Sequence, residues 1–337
     1  MLKRILAGLS ASAVIVLTVG AAPAAALSRN MPASTDYVIS LTGVADSSLS
    51  ASQQNCMRPY SHDLQDALDA YDNGDIIYLC PGVYVGPFSA THGDGLTLVG
   101  ANPRTTIIDG ASSGDSTIYI DTNSYFTVQN LTFRNGYVDT NGEPGAAIHT
   151  DNAFTCINST FEDNETWTSG YHVGGAVATD GYGDVEVNRC TFKNNKAADE
   201  GGAIYVGNAA PDYYADFICN ASTFVNNRAY LGSGGRGWGG AVHVVYDASI
   251  NRCSFNGNHG NFGGAIFMGG NLTVRDSTFT NNEAYCSGGA LQLQGYFGSS
   301  TLFLRSTFTG NHTLVDARSE EHTSELQSLA YLVCRLL

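Results

Sequence analysis

The sequence has few charged residues, and few of those are basic. Charged residues make up 14% of the 337 residues, with 16 Lys and Arg against 31 Asp and Glu, so the formal net charge is −15. An ordinary globular chain carries about 25% charged residues. Proteins that bind nucleic acid contact its phosphates with clustered Lys and Arg. We therefore expect no nucleic-acid partner.

Metal-binding patterns and long apolar runs are also missing. The eight cysteines include no CxxC pair and no Cys/His spacing typical of a zinc site, so we expect no metal and no cofactor. After residue 26 no segment reaches the roughly 18 consecutive apolar residues of a membrane-spanning helix. Glycine is abundant instead, with 39 residues. Together with ample Thr, Asn and aromatic residues, it favours β-structure with many tight turns.

The two ends of the sequence differ from the rest. Residues 1–26 have a basic start, a short apolar stretch and the small residues Ala24–Ala26, which is typical of a cleaved secretory signal, with a membrane anchor as the alternative. Residues 318–337 read RSEEHTSELQSLAYLVCRLL, without Gly or Asn. This segment resembles a translated sequencing-library adapter, with an amphipathic C-terminal helix as the alternative.

One pattern recurs along most of the chain. Ser/Cys-Thr-Phe-x-x-Asn is followed by a variable loop and then by Gly-Gly-Ala with an aliphatic residue. A period of this length indicates a solenoid, in which each coil pairs with the next. Seven phenylalanines mark the copies at spacings of 24 to 32 residues: Phe133, Phe161, Phe192, Phe224, Phe255, Phe279 and Phe308.

Stacked coils would place like residues over like. We expect the phenylalanines to form an internal stack and the aliphatic residues to form a second one. The asparagine three positions after each Phe from Phe161 to Phe308 should form a ladder, because Asn tolerates a left-handed backbone and its amide can bond the copies above and below. The ladder residues are Asn164, Asn195, Asn227, Asn258, Asn282 and Asn311; the aliphatic residues are Ile148, Val177, Ile204, Val242, Ile266 and Leu291.

The two half-motifs, GGA[ILV] and FxxN, resemble the repeat of the polymorphic outer membrane proteins over residues 130–311. The resemblance implies an all-β fold, a right-handed parallel β-helix, at the cell surface or outer membrane. Residues 74–110 are similar to the first coils of secreted pectin-lyase-like proteins, and 62–71 has the apolar spacing of a short helix that could cap the solenoid. The expected divisions are a signal (1–26), an extended lead (27–55), cap helix and first coils (56–129), repeats (130–317) and the adapter-like segment (318–337).

Export would place the cysteines in an oxidising compartment, where disulfides are expected. Of the eight cysteines, Cys334 lies in the adapter-like segment and Cys286 is left over by the pairing that the spacing favours. Buried free thiols are the alternative to disulfides. The favoured pairs are Cys56 with Cys80, Cys156 with Cys190, and Cys219 with Cys253.

The outward strand positions decide whether an enzyme is expected. β-Helix enzymes acting on acidic polysaccharides use carboxylates on such a face. Other acids, such as Asp163, Asp180 and Glu200, fall in loops without a recurring pair and are interpreted as solvated charges, so we expect no catalytic residue. The outward row one residue after the aliphatic stack has no carboxylate: it consists of His149, Ala178, Tyr205, His243, Phe267 and Gln292.

Aromatic residues give the remaining candidate site. His149, Tyr205, His243 and Phe267 would form a stripe for sugar rings or a partner surface, with Trp238 as a contact residue in a glycine-rich loop. The alternatives are ordinary strand propensity for the stripe and a Trp packed against a neighbouring coil.

The sequence thus predicts an exported cell-surface repeat protein with a binding rather than an enzymatic role. Its role would be adhesion, display, or binding of carbohydrate or of a host or cell-surface protein. The resemblance also implies association with the outer membrane through a region beyond the printed sequence. The alternatives are a polysaccharide lyase or glycoside hydrolase of the pectin-lyase-like class and a purely structural spacer of the cell envelope.

The adapter interpretation of 318–337 has a direct test. We expect sequencing of the genomic locus to depart from the printed sequence after Ala317. A genuine continuation through Arg318 would contradict the interpretation.

Overall fold

The structure is a computed structural model that describes ten stretches of the chain. They are residues 39–40, 56, 61–121, 124–139, 144–167, 173–207, 215–229, 237–294, 299–314 and 332–334. The predicted signal, nearly all of the lead and most of 318–337 lie outside the described residues. The domain boundaries expected from the sequence stay predictions.

The described elements are one helix and 33 short strands. The helix is α1 (Ser61–Ala70). The N-terminal strands are β1 (Ile39–Ser40), β2 (Asp75–Leu79), β3 (Gly82–Val85), β4 (Phe88–Ala90), β5 (Leu96–Gly100), β6 (Thr106–Asp109), β7 (Ile118–Ile120), β8 (Tyr125–Gln129), β9 (Thr132–Arg134) and β10 (Tyr137–Val138). The middle strands are β11 (Ile148–Ile157), β12 (Thr160–Glu162), β13 (Glu165–Thr166), β14 (Val177–Asn188), β15 (Thr191–Lys193), β16 (Lys196–Ala197), β17 (Ile204–Val206), β18 (Phe217–Asn220), β19 (Thr223–Val225), β20 (Arg228–Ala229), β21 (Val242–Val244) and β22 (Ala248–Asn251). The C-terminal strands are β23 (Ser254–Asn256), β24 (His259–Phe262), β25 (Ile266–Met268), β26 (Leu272–Arg275), β27 (Thr278–Thr280), β28 (Glu283–Ser287), β29 (Leu291–Leu293), β30 (Thr301–Leu304), β31 (Thr307–Thr309), β32 (His312–Thr313) and β33 (Leu332–Cys334).

The strands form three sheets that run the length of a parallel β-solenoid. A wide sheet has 17 strands, a second has nine and a third has seven. Pairing is parallel from coil to coil, except that β1 pairs antiparallel with β2 and β33 with β30. The prediction of an all-β parallel solenoid is confirmed. Strands of two to five residues, which make up most of the fold, cannot stabilise a sheet within one coil, so pairing passes to the neighbouring coil.

The predicted phenylalanine stack is confirmed on the inner side of the nine-stranded sheet. Neighbouring rings lie 4.6 to 4.9 Å apart between centroids, with interplanar angles of 3° to 6°. Phe133 through Phe279 are fully buried, and Phe308 in the last coil is half-buried. The aliphatic residues pair in register on the wide sheet, as Ile148 with Val177 and Ile204 with Val242.

The predicted asparagine ladder is also confirmed. From Asn164 to Asn282, each side-chain amide donates to the Oδ1 atom of the next ladder asparagine, at 2.8 to 3.0 Å. The same Oδ1 atom also accepts the backbone N–H of the preceding asparagine, at 2.9 to 3.2 Å. A second amide hydrogen reaches the Phe carbonyl one coil earlier, as from Asn227 to Phe192 at 3.0 Å. Every polar atom of these buried side chains is therefore bonded.

The left-handed backbone lies one residue before the ladder, so that part of the expectation is wrong. φ is 56° at Asp163, 56° at Asn194 and 53° at Asn226, and no ladder asparagine has a positive φ. Asn occupies the ladder for its amide, since the turn is made by the preceding residue.

The Gly-Gly corners have a steric cause. Gly201 has φ 63°, and a Cβ atom on Gly202 would overlap the carbonyl oxygen of Gly240 in the next coil. Side chains larger than hydrogen do not fit this approach of two backbones.

The helix joins the same core as the coils. Leu64, Ala67, Leu68 and Tyr71 are buried in one cluster with the residues of the first coils. No helix among the described stretches combines the length and the apolar character needed to cross a bilayer.

Three disulfides lie within the described part of the chain. Cys56 is joined to Cys80, and the other two bridges connect neighbouring coils, Cys156 to Cys190 and Cys219 to Cys253. Each of the last two links residues 34 apart. Closing loops of that size restricts the unfolded chain and stabilises the fold by a few kcal/mol in the chain-entropy model, roughly 3 to 4 for each bridge.

Replacement of one ladder residue tests the contribution of the ladder to stability. Asn227→Ala removes the acceptor of the Asn195 amide and the donor to the Phe192 carbonyl. We expect the free energy of unfolding, measured by urea denaturation, to fall by roughly 3 kcal/mol or more, because buried polar groups lose their partners. Asn256→Ala, at an exposed strand position, is the control and should change it by less than about 0.5 kcal/mol. Equal losses in both variants would contradict a special role of the ladder.

Candidate functional site

The predicted aromatic stripe is a continuous row on the outer side of the wide sheet. Parallel pairing aligns His149 with Ala178, then Tyr205, His243, Phe267 and Gln292. The expected exposure of this row is wrong. His149 is 5% exposed, Tyr205 4%, His243 4% and Phe267 6%. The row is therefore an outer core layer, and its role in binding stays a prediction.

Backbone segments just before each Gly-Gly corner cover this row. Glu200 pairs with Trp238, and Trp238 pairs with Phe262, through parallel bridges between neighbouring coils. Val173 takes the same place one coil earlier and packs with Ala178 and Tyr205. The motif period locates the strands but not the return path of the loops, so the cover could not be inferred from it.

Trp238 is packed against the row and is half-buried. Its ring stacks on Phe267 at 4.8 Å with an interplanar angle of 11°, and it meets His243 edge-on at 5.5 Å. These contacts fit the alternative prediction, a Trp packed against a neighbouring coil, better than they fit a contact residue that extends into solvent.

A buried acid–imidazole pair lies beneath Trp238. His243 Nδ1 donates to Glu200 Oε2 at 2.8 Å, and the side chains are 5% and 3% exposed. Interpretation of Glu200 as a solvated loop charge is wrong. Its place directly before Gly201-Gly202 marks a corner in the sequence but does not show that the chain turns back over the sheet there. A buried pair of this kind fixes the cover to the sheet.

A group of acidic residues lies next to His149, in coils that precede the Glu200–His243 pair. Three aspartates each come directly after residues that pair in register on the wide sheet, in three neighbouring coils. They are Asp121, Asp151 and Asp180. His149 Nε2 is 3.6 Å from Asp151 Oδ1 and 3.6 Å from Asp180 Oδ2. The Tyr119 ring lies 5.3 Å from the His149 ring. The expectation that acids show no recurring arrangement is therefore wrong, because these three recur with the coil.

The environment favours the protonated form of one member of this group. Burial raises the pKa of the Asp151 carboxyl above its usual range; His149 opposes this shift, and the charges of Asp180 and Asp121 add to it. A carboxyl with a raised pKa beside other carboxyl groups and an imidazole is suited to proton transfer. The spacing of 30 and 29 residues between the three acids matches the coil period and was the available sequence signal.

The seven-stranded sheet carries a shallow groove on its outer side. Six polar residues from three coils line a space of about 350 Å³: Asp163, Glu165, Asn194, Lys196, Asn226 and Arg228. Within it, Lys196 Nζ lies 3.1 Å from Glu165 Oε2. Both charge signs are therefore present, which gives the groove no clear preference for an anion or a cation.

No group of three or more His, Cys, Asp or Glu side chains in the described stretches is arranged to hold a metal ion.

Comparison with known proteins relates part of the chain to one repeat family. Residues 189–207 and 276–294 match the Chlamydia polymorphic membrane protein repeat. No curated protein matches the chain. Among solved structures, ORF18 of Geobacillus virus E2 is 12% identical, with a TM-score of 0.29, over 74% of this chain and 58% of that one. The chain thus spans less than two thirds of that protein. The repeat match and the β-solenoid fit a cell-surface repeat protein.

The Glu200–His243 pair generates a stability prediction. Glu200→Ala leaves His243 buried without this acceptor, and we expect the free energy of unfolding to fall by roughly 3 kcal/mol. Glu200→Gln keeps an acceptor oxygen and should recover most of the loss. Glu165→Ala breaks a partly exposed ion pair instead and should cost less than about 1 kcal/mol. Chemical denaturation of the three variants checks this, and a Glu200→Ala variant as stable as the parent would contradict it.

Proposed function

We propose that the protein is an exported, non-enzymatic cell-surface solenoid that binds carbohydrate or a surface protein of a host or neighbouring cell. The observation that carries the proposal is the match of two coils to the Chlamydia polymorphic membrane protein repeat. Export through residues 1–26 and outer-membrane association through a region beyond the printed sequence are parts of the same proposal.

The in-register coils support a binding role because they repeat side chains in rows. Outside the nine-stranded sheet a hydroxyl row follows the coils, with Thr191 paired to Thr223 and Ser254 paired to Thr278. Rows of this kind can meet a repeating or extended partner at several points, so weak contacts add up. Among the five aromatic residues predicted to bind, Trp238 is the most exposed and is retained as a candidate contact.

Binding can be measured directly with the labelled purified chain. We expect saturable binding to at least one class of immobilised glycan or to intact cells, abolished by an excess of unlabelled chain. Heat-unfolded chain is the control, because the rows exist only in the folded solenoid. Absence of saturable binding on a broad glycan array and on several cell types would contradict the proposal.

A second candidate function rests on the group around His149. Asp121, Asp151 and Asp180 stack on neighbouring coils, and the pKa of Asp151 is raised, mainly by burial. Such a set favours acid–base chemistry on a polysaccharide, as in a lyase or glycoside hydrolase.

Product release separates the two candidates. With pectate or alginate as substrate, the binding proposal predicts neither reducing ends nor unsaturated product above background. Product that is lost in Asp151→Asn, and retained in a control Asp163→Asn at an exposed turn, would establish the enzymatic candidate instead.

A further inference from the structure

A row of arginines follows the turn between the wide sheet and the nine-stranded sheet. Arg189, Arg252 and Arg305 occupy the left-handed position of this turn in three coils, with φ of 56°, 55° and 48°. Asp276 holds the same position in the coil between the last two, and Arg275 precedes it. These four arginines are a quarter of the 16 Lys and Arg in the chain. They are all exposed.

Three of the guanidinium groups act on a single carboxylate, one through hydrogen bonds and two through their charge. Arg305 Nε and Nη2 donate to Asp276 Oδ1 and Oδ2 at 2.6 and 2.7 Å. This hydrogen bonding lowers the pKa of Asp276, and the charges of Arg252 and Arg275 lower it further. One negative charge is therefore set among three positive ones. The edge keeps a local positive charge in a chain whose formal net charge is −15.

Hydroxyl groups lie directly beside the arginines. Two residues after each turn position, the outward side of the nine-stranded sheet carries Thr191, Ser254, Thr278 and Thr307, aligned by parallel pairing. Coils are spaced by about 4.8 Å, the distance between hydrogen-bonded strands. Ala221 holds the turn position in the coil between Arg189 and Arg252. The cations therefore cluster in the three coils from Arg252 to Arg305, with Arg189 two coils away, and the hydroxyl row runs beside them.

We propose that this arginine edge binds a linear anionic polysaccharide that lies along the solenoid axis. Guanidinium groups pair with carboxylate or sulfate groups in a bidentate manner, and the hydroxyl row can bond sugar hydroxyls. A linear polymer matches a single line of cations better than a membrane plane does. The inference rests on the proposed binding function and names its partner.

Asparagine substitutions test the edge without disturbing the turn. Asn130 and Asn158 already occupy the left-handed position in earlier coils, and Asn251 aligns with Arg275. We expect Arg252→Asn combined with Arg275→Asn to weaken binding of polygalacturonate or heparin oligosaccharides roughly tenfold, because two exposed ion pairs are lost. Asp276→Asn should strengthen binding several-fold, since it removes the competing carboxylate. Arg104→Asn, an exposed arginine in the first coils, should change nothing.

Each arm of the experiment has a decisive outcome. Binding should weaken at high ionic strength and should be absent for neutral dextran; comparison of polygalacturonate with heparin separates carboxylate from sulfate recognition. Preference for phosphatidylserine vesicles over both polymers, or equal weakening by Arg104→Asn, would overturn the inference. If the chain binds neutral glycans or cells but neither polyanion, the inference fails and the proposed function stands. If it binds nothing, both fail.

Discussion

Hydrogen bonding between stacked asparagine side chains is the interaction on which the rest of this fold depends. Each ladder amide bonds the next asparagine and a Phe carbonyl one coil away, and both are fully buried in the middle coils. These bonds hold the turn at each ladder asparagine directly over the same turn of the neighbouring coil. Since the Phe rings stand three residues before the ladder, the same bonds set their stacking distance and keep the parallel strands in register.

Register fixes what the outside of the molecule presents. Once like residues lie over like, any side chain that recurs with the coil forms a row, whether or not it has a structural role. The hydroxyl row, the Asp121–Asp151–Asp180 group and the arginine edge all arise in this way. The aromatic row is buried instead, because the segments before the Gly-Gly corners fold over it. The buried contact of Glu200 with His243 fixes these segments to the sheet.

Features that repeat in the sequence could be predicted from it, and features that depend on loop paths could not. The Phe stack, the Asn ladder and the parallel solenoid follow from the recurrence of FxxN and GGA alone. The burial of His243 depends on where Glu200 and Trp238 return over the sheet, and no local periodicity encodes that path. The group around Asp151 is hidden in the sequence for another reason: Asp121 and Asp180 each lie about one period away from Asp151, so the group is visible only after the coils are aligned. Residue type does not separate the left-handed position from the ladder position, because both Asn194 and Asn195 suit a turn.

Hydrogen exchange at the ladder tests the account most directly. The backbone N–H groups of Asn195, Asn227 and Asn258 each donate to a buried Oδ1 atom of the next coil. If this ladder holds the coils together, these amides should exchange only through opening of several coils and should be among the slowest in the chain. Amides at the ladder that exchange as fast as those of exposed turns, in a folded sample, would contradict the account.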